Sequence, residues 1–325
     1  MADRVLVTGA GGFIGSHLTE LLVREGYAVR AFVRYNSRNS WHHLDRLPKE
    51  LLASVEVISS DVTDAFAVEK AVAGCQTVFH LAALIGIPYS YLAPASYVAT
   101  NISGTLHVLE ACRRHGARLV HTSTSETYGT AQYVPIDEKH PLVGQSPYSA
   151  TKIAADKLVE SYILSFELPA CIVRPFNTYG PRQSARAVIP TIISQALTLG
   201  RLSLGNLDPV RDLTFVTDTA RGFLAAARSD RLIGRTVNLG VGEGFSIRQL
   251  VEKIGAILGM SLVPQQDPAR VRPAASEVQR LISDNGLMRS LTDWRPQVDI
   301  DSGLRQTVEY IRANLDDYRA DQYVV

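Results

Sequence analysis

An α/β fold, a doubly wound parallel sheet with a smaller C-terminal lobe, follows from three features of this 325-residue sequence. Short apolar runs of β character alternate with helical stretches over the first half of the chain, the pattern that gives parallel strands joined by crossover helices. The first run, Val5-Leu6-Val7-Thr8, breaks into a glycine-rich turn and then into a helix. After Pro175 the alternation weakens, which marks a loop-rich second lobe.

Each element has its own signal. The turn Gly9-Ala10-Gly11-Gly12-Phe13-Ile14-Gly15 carries the spacing G-x-x-G-x-x-G. Between a strand and a helix, such glycines let backbone N–H groups and a helix N-terminus approach a pyrophosphate. Leu18, Leu21 and Leu22 follow at helical spacing, and Gly26 sits where a C-terminal cap falls. Further strands are expected at 29–33, 55–58, 77–81, 119–123 and 170–174, and helices at 64–73 and 101–115, closed by Gly74 and Gly116. Ser146 as N-cap and Pro147 as first helical residue open a long helix running to 166. In the second half a helix led by Val188 runs toward Gly200, 210–218 precedes a helical run through Ala227, and 237–239 reads as a strand. Ser246 to Gln249 is a capping box, and a last helix starts near Ser302. The division expected is a dinucleotide-binding domain over 1–180, to which 211–245 returns, and a second lobe from 181–210 and 246–325.

Composition excludes several classes. Hydrophobic content of 46%, 20% charged residues and a net charge of +1 suit a soluble enzyme and not a polyanion-binding surface. No apolar run reaches the length of a membrane span, and Met1 to Arg4 leads straight into a strand, so the cytosol is the expected compartment. Cys75, Cys112 and Cys171 are scattered, which suggests neither disulfides nor zinc; His42-His43 reads as a polar surface pair, and no metal is expected.

The chemistry centres on Thr122 to Lys152. Tyr148 and Lys152 are four apart and share one helical face. An ammonium near a phenol favours the phenolate, lowering its pKa from about 10. Such a group can take the proton of a sugar hydroxyl while a hydride leaves the same carbon. Helices often carry a Tyr and a Lys four apart, so the pair gains weight only from the strand-end stretch Thr122-Ser-Thr-Ser-Glu-Thr-Tyr-Gly129 before it. Gly9, Asp61, Ala82 and Thr124 all fall at or just beyond strand ends, where ligands bind in such sheets. The end of the second strand, Ala31 to Arg38, has no acid for a ribose diol. Arg34 and Arg38 would instead meet a 2′-phosphate, favouring NADP, with NAD the cofactor if both arginines are merely solvated.

The chain resembles the extended short-chain dehydrogenase/reductase family, in its nucleotide-sugar epimerase/dehydratase branch. The motifs are Thr8 to Gly15, Asp61-Val62, His80-Leu-Ala-Ala83, Asn101 with Gly104-Thr105, Ser123 to Gly129, Tyr148 to Lys152, Arg174-Pro-Phe-Asn-Thr-Tyr-Gly-Pro-Arg182, Arg211-Asp212 and Arg272-Pro273. The resemblance implies a Rossmann domain that binds NADP or NAD, a nucleotide-sugar substrate, a homodimer paired through the helices at 101–115 and 148–166, and no nucleic-acid or membrane partner. By the same resemblance Thr124 holds the sugar C4 hydroxyl, Tyr148 removes its proton, and Lys152 binds the nicotinamide ribose. Asp61 and Val62 belong at the adenine, and Leu81, Ala82, Ala83 and Asn101 along the cofactor. Asn177, Arg211 and Arg272 belong at the substrate diphosphate, and Ile87, Arg182 and Val188 to the substrate site.

Ser125 and Glu126 bear on the fate of the sugar once C4 is oxidised. A ketone at C4 acidifies the C5 proton, and Glu126 is the candidate base; simple 4-epimerases usually lack an acid there. Glucose-type 4,6-dehydratases usually carry Asp-Glu after the threonine, whereas this chain has Ser125-Glu126, as GDP-mannose 4,6-dehydratases and UDP-glucuronate decarboxylases do. The uncharged segment Leu84 to Ser90 suits a neutral sugar, and Tyr179 to Pro190 resembles dehydratases of N-acetylglucosamine nucleotides. An NDP-sugar 4,6-dehydratase is therefore expected, with decarboxylase and 4-epimerase as alternatives. An NAD(P)-binding regulatory protein is the non-enzyme alternative, against which the intact Thr124, Tyr148 and Lys152 argue.

Overall fold

The computed structural model describes residues 2–271 and 277–320. Its first half runs β1 (Arg4–Thr8), α1 (Phe13–Arg24), β2 (Ala28–Arg34), α2 (Lys49–Leu52), β3 (Glu56–Ser60), α3 (Ala65–Val72), β4 (Thr77–His80), α4 (Ile87–Leu92), α5 (Pro94–Tyr97), α6 (Gly104–His115), β5 (Arg118–Thr122), α7 (Pro147–Phe166) and β6 (Ala170–Pro175). The second half runs β7 (Asn177–Tyr179), α8 (Val188–Leu199), β8 (Leu202–Leu204), β9 (Val210–Phe215), α9 (Val216–Arg228), β10 (Thr236–Leu239), β11 (Gly244–Ser246), α10 (Ile247–Leu258), β12 (Pro264–Gln266), β13 (Arg280–Leu281), α11 (Gly286–Leu291) and α12 (Ile300–Ala313).

Seven strands form one parallel sheet in the order β10-β6-β5-β4-β1-β2-β3. Parallel strands are covered on both faces, which is why β1 and β6 read as continuous apolar runs. One face packs on α1 and α9 through Leu18, Leu22, Phe223 and Leu224; the other packs on α3, α6 and α7 through Val68, Val108, Leu109 and Val159. The chain moves outward from β1 to β3 and then restarts on the other side of β1 at β4. That reversal opens a crevice at the carboxyl ends of β1 and β4. The doubly wound sheet expected from the sequence is present, with most strand ends within a residue or two of expectation.

A second apolar cluster, with Ile192, Ile193, Phe215, Leu250, Ile254, Leu304 and Val308, joins α8, α10 and α12 around β8 and β9. The strand expected near 210 pairs there with β7, β11 and β13 and not with the main sheet, whereas β10 returns to the main sheet beside β6. The last helix begins two residues earlier than expected, because Asp299 caps it by accepting from Ser302 N at 2.9 Å. The helix expected over 101–115 starts further back in the chain. It continues from α5 through a π-helical segment, Val98–Ser103. No glycine or proline marks that widened turn, which exposes backbone carbonyls for side-chain bonding.

Candidate active site

The glycine turn has the geometry that a closely approaching phosphate group requires. Gly9 has φ +70°, and a Cβ there would lie 2.9 Å from Ala82 N. A Cβ on Gly15 would lie 2.2 Å from the Gly9 carbonyl oxygen. No side chain fits either position, so β1, the loop after β4 and the start of α1 meet backbone to backbone. Beneath them Thr8 Oγ1 accepts from Leu81 N and Ala82 N, both at 3.1 Å, and donates to His80 Nδ1 at 2.8 Å. His80 Nε2 then donates to Thr105 Oγ1 at 3.1 Å, and Thr105 donates to the Asn101 carbonyl at 2.6 Å. Burial holds the His80 imidazole neutral, well below its usual pKa.

A crevice of about 900 Å³ runs from this turn across the ends of β1, β4 and β5 to α8 and β9. Arg34, Asp61 and Val62 line its far end, with Phe13, Ile14 and the three glycines along the floor and Leu81, Ala82 and Ala83 beside them. Thr124, Glu126, Tyr148 and Lys152 line the middle, and Ile87, Asn177, Val188 and Arg211 the opposite end. Three buried atoms of lining residues, Thr122 Oγ1, Asn177 Oδ1 and Gln183 Oε1, have no partner within the protein. Unsatisfied buried polar atoms are rare, so this crevice is shaped for a polar ligand.

The helix that carries Tyr148 and Lys152 is set by its cap. Ser146 accepts from Ser149 N at 3.1 Å, and Ser149 Oγ accepts from Ser146 N at 3.0 Å, with Pro147 in the first turn. Tyr148 and Lys152 consequently face β5 together, both buried. Lys152 Nζ donates to the Thr122 carbonyl at 2.6 Å. Burial pushes the Lys152 ammonium down to about 8, against the attraction of Asp156. Burial also pushes the Tyr148 phenol up, opposed by a hydrogen bond with Thr124 and reinforced by the charge of Glu126. The lowered phenol expected from Lys152 alone is therefore not what this protein environment produces, because both groups lie out of water.

Four expected site residues are placed elsewhere. The Arg182 guanidinium is not in the crevice: it pairs with Glu20 at 2.9 Å and reaches Ser16 Oγ at 3.4 Å, fastening the loop after β7 to α1. Arg38 is exposed and does not line the crevice, whereas Arg34 does, 3.8 Å from Asp61. Asn101 sits behind the crevice, where it accepts from Leu84 N at 2.8 Å and donates to the Leu84 carbonyl at 3.0 Å and to Thr151 Oγ1 at 3.1 Å. Ser125 is buried beside the crevice and does not line it. Arg272 lies outside the described residues.

A model of the GDP-mannose 4,6 dehydratase family matches residues 6–307. The chain belongs to that family. It is 32% identical to a UDP-glucose 4-epimerase of Mycolicibacterium smegmatis, covering 95% of this chain and 98% of that one. It is also 32% identical to a dTDP-glucose 4,6-dehydratase of the same organism, covering 96% and 94%. The crystal structure of a UDP-glucuronic acid 4-epimerase variant of Bacillus cereus, in complex with a fluorinated UDP-glucuronic acid and NAD, superposes with a TM-score of 0.88 at 29% identity, covering 96% and 99%. The chain is thus an enzyme of the NAD-dependent nucleotide-sugar epimerase/dehydratase/decarboxylase type.

Its glycine cradle and orphaned polar atoms fit a dinucleotide and a polar substrate. Nothing in the sequence signals that His42 and His43 border the site. His43 N donates to the Gly11 carbonyl at 3.1 Å, and both His42, which is exposed, and His43 line the crevice, so this surface pair borders the glycine turn. Of the two arginines of the loop after β7, Arg186 lines the crevice and Arg182 does not. Nothing in the local pattern distinguishes these residues from solvated loop side chains. Among the described residues no group of His, Cys, Asp or Glu could hold a metal, and no helix is long and apolar enough to cross a membrane.

Proposed function

We propose that the chain is an NDP-sugar 4,6-dehydratase, acting on an NDP-N-acetylglucosamine or a related neutral hexose. The observation that carries the reading is Glu126: its carboxylate lines the crevice with Thr124 and Tyr148, close enough for its charge to act on the phenol. A nicotinamide dinucleotide, its pyrophosphate held at the glycine cradle, would supply the hydride acceptor that the sugar needs at C4 and the hydride donor that it needs at C6. Thr124 holds the C4 hydroxyl and Tyr148 takes its proton. With C4 oxidised, Glu126 removes the C5 proton. The carboxylic acid so formed gives that proton to the C6 hydroxyl, which departs as water while the C5–C6 double bond forms. One carboxyl group performs both transfers, so the missing aspartate at Ser125 is not needed. Saturation of the double bond by hydride at C6 and a solvent proton at C5 then completes the 4-keto-6-deoxy sugar. At the other end Asn177 and Arg211 contact the diphosphate, the latter with donors suited to phosphate oxygens.

The test is deuterium uptake. In D2O, product made by the unaltered chain gains deuterium at C5, and Glu126→Gln stops that exchange while nucleotide-sugar binding by calorimetry changes less than about threefold. Normal exchange in Glu126→Gln removes Glu126 as the base.

One observation favours a second reading. Arg186 lines the crevice beside Gly86 and forms no ion pair among the described residues. A C6 carboxylate would meet that cation, as a UDP-glucuronate decarboxylase requires.

For the cofactor we propose NADP, with Arg34 meeting the 2′-phosphate; an Arg34→Ala variant that still binds NADP better than NAD contradicts this. A homodimer is proposed through α6 and α7, which leave Leu106, Leu164 and Phe166 exposed. Light scattering should report a dimer, and Leu164→Glu a monomer.

A further inference from the structure

Beneath the catalytic residues lies a buried polar cluster that the proposed chemistry does not consume. Asp156 stands one helical turn beyond Lys152 on α7 and is fully buried. Its Oδ2 accepts from Ser123 Oγ at 2.8 Å and from Arg174 Nη2 and Nε at 2.9 and 3.2 Å. Arg174 Nη1 donates to the Tyr128 hydroxyl at 3.1 Å, and Tyr128 donates to Asn238 Oδ1 at 2.6 Å. Ser123 and Tyr128 bracket Thr124 and Glu126. One carboxylate therefore ties both ends of the catalytic loop to the helix that carries Tyr148 and Lys152.

The charges in this cluster are unequal. Lys152 and Arg174 are both buried cations, and Asp156 is the carboxylate whose charge acts on Lys152. The remaining titratable groups around Lys152 are Tyr148 on α7, His80 on β4 and His121 on β5. Burial keeps both imidazoles uncharged near neutral pH, with His121 at about 4. His121 Nε2 stands 3.5 Å from Asp156 Oδ1, and neither atom has a hydrogen-bond partner. An arginine does not release its proton in a protein. Without Asp156, the excess positive charge is relieved at Lys152.

We propose that Asp156 is a positioning residue of the catalytic centre, locking the Ser123–Tyr128 loop to α7 and holding Lys152 in its ammonium form. The proposal rests on Tyr148 and Lys152 as the proton-handling pair, and not on which nucleotide sugar is converted or how its 4-keto form reacts.

The chain has six lysines, few enough for each side chain to be followed by NMR in full-length protein labelled with ¹³C-lysine. The Lys152 signal is the one lost in Lys152→Arg. Lys152 should titrate near pH 8 in the unaltered chain. In Asp156→Asn its midpoint should fall by about 1–3 pH units, with the other five unmoved and most of the loss restored in Asp156→Glu. Should Asp156→Asn fail to fold because Arg174 is left unpaired, the double variant Asp156→Asn/Arg174→Gln puts an amide pair in place of the ion pair. A smaller fall in the same direction is then expected, because the Arg174 charge goes with it. An unmoved Lys152 midpoint in whichever variant folds overturns the proposal. A purely structural Asp156 would lower the melting temperature and leave that titration alone. Failure of the dehydratase reading would not move it either.

Discussion

Removing one oxygen atom at Tyr128 should destabilise the protein far more than its size suggests. Tyr128 and Arg174 are both buried, and the phenol oxygen is at once the acceptor for Arg174 Nη1 and the donor to Asn238 Oδ1. Asn238 has its other bonds elsewhere: its backbone N–H donates to Glu138 at 2.7 Å and its side-chain amide to the Ile136 carbonyl at 2.9 Å. Tyr128→Phe keeps the ring against Phe176 and His140, and the Arg174 guanidinium still lies 5.0 Å from its centre. No large cavity forms, so the loss is polar. It leaves one guanidinium N–H and one amide carbonyl unpaired, each costing about 1–3 kcal/mol away from water. We expect a loss of about 3 kcal/mol in urea unfolding at pH 7, with an unchanged denaturant slope. Turnover should fall as well, because Tyr128 closes the loop that presents Thr124 and Glu126. A loss below about 1 kcal/mol would mean that water or a relaxed Asn238 satisfies both groups, which would refute the reasoning from burial.

Two more outcomes rest on the glycine turn and on a buried carboxyl. Gly15→Ala places a methyl 2.2 Å from the Gly9 oxygen, so the turn must open; calorimetry should show cofactor affinity reduced at least about 100-fold, and near-normal affinity would refute the close approach. Burial raises the Asp212 carboxyl to about 6, although Val241 N, Gly242 N and Ser283 N all donate to it. A carboxyl raised above its unfolded value contributes stability at low pH that is lost as pH climbs through about 6, so urea stability should fall by up to about 3 kcal/mol between pH 4 and 6. Asp212→Asn should flatten that slope, and an unchanged slope would show that another group titrates there.

What the sequence disclosed and what it hid differ in range of interaction. The turn from Gly9 to Gly15, the Ser146-Pro147 start of α7 and the Ser246–Gln249 box are decided within a few residues, and each stands as read. The main sheet was legible because buried parallel strands must be apolar throughout. The second lobe was not: β8, β11, β12 and β13 span two or three residues each and exist only through their partners. The arginines show the same limit. Arg182 and Arg186 are four apart in one loop, yet Glu20 on α1, distant in sequence, turns the first away from the crevice and leaves the second lining it. Asp156 gave no signal, because its role depends on Ser123 and Arg174 on separate strand ends.

The most direct test of the dehydratase reading is the mass of the product. The purified protein would be incubated with UDP- and GDP-linked hexoses, including N-acetylglucosamine, mannose and glucuronate, and each mixture analysed by mass spectrometry. A dehydratase releases a product lighter than its substrate by one water, and that is the result expected from a neutral hexose. An isomer of unchanged mass, or loss of carbon dioxide from UDP-glucuronate alone, would contradict it.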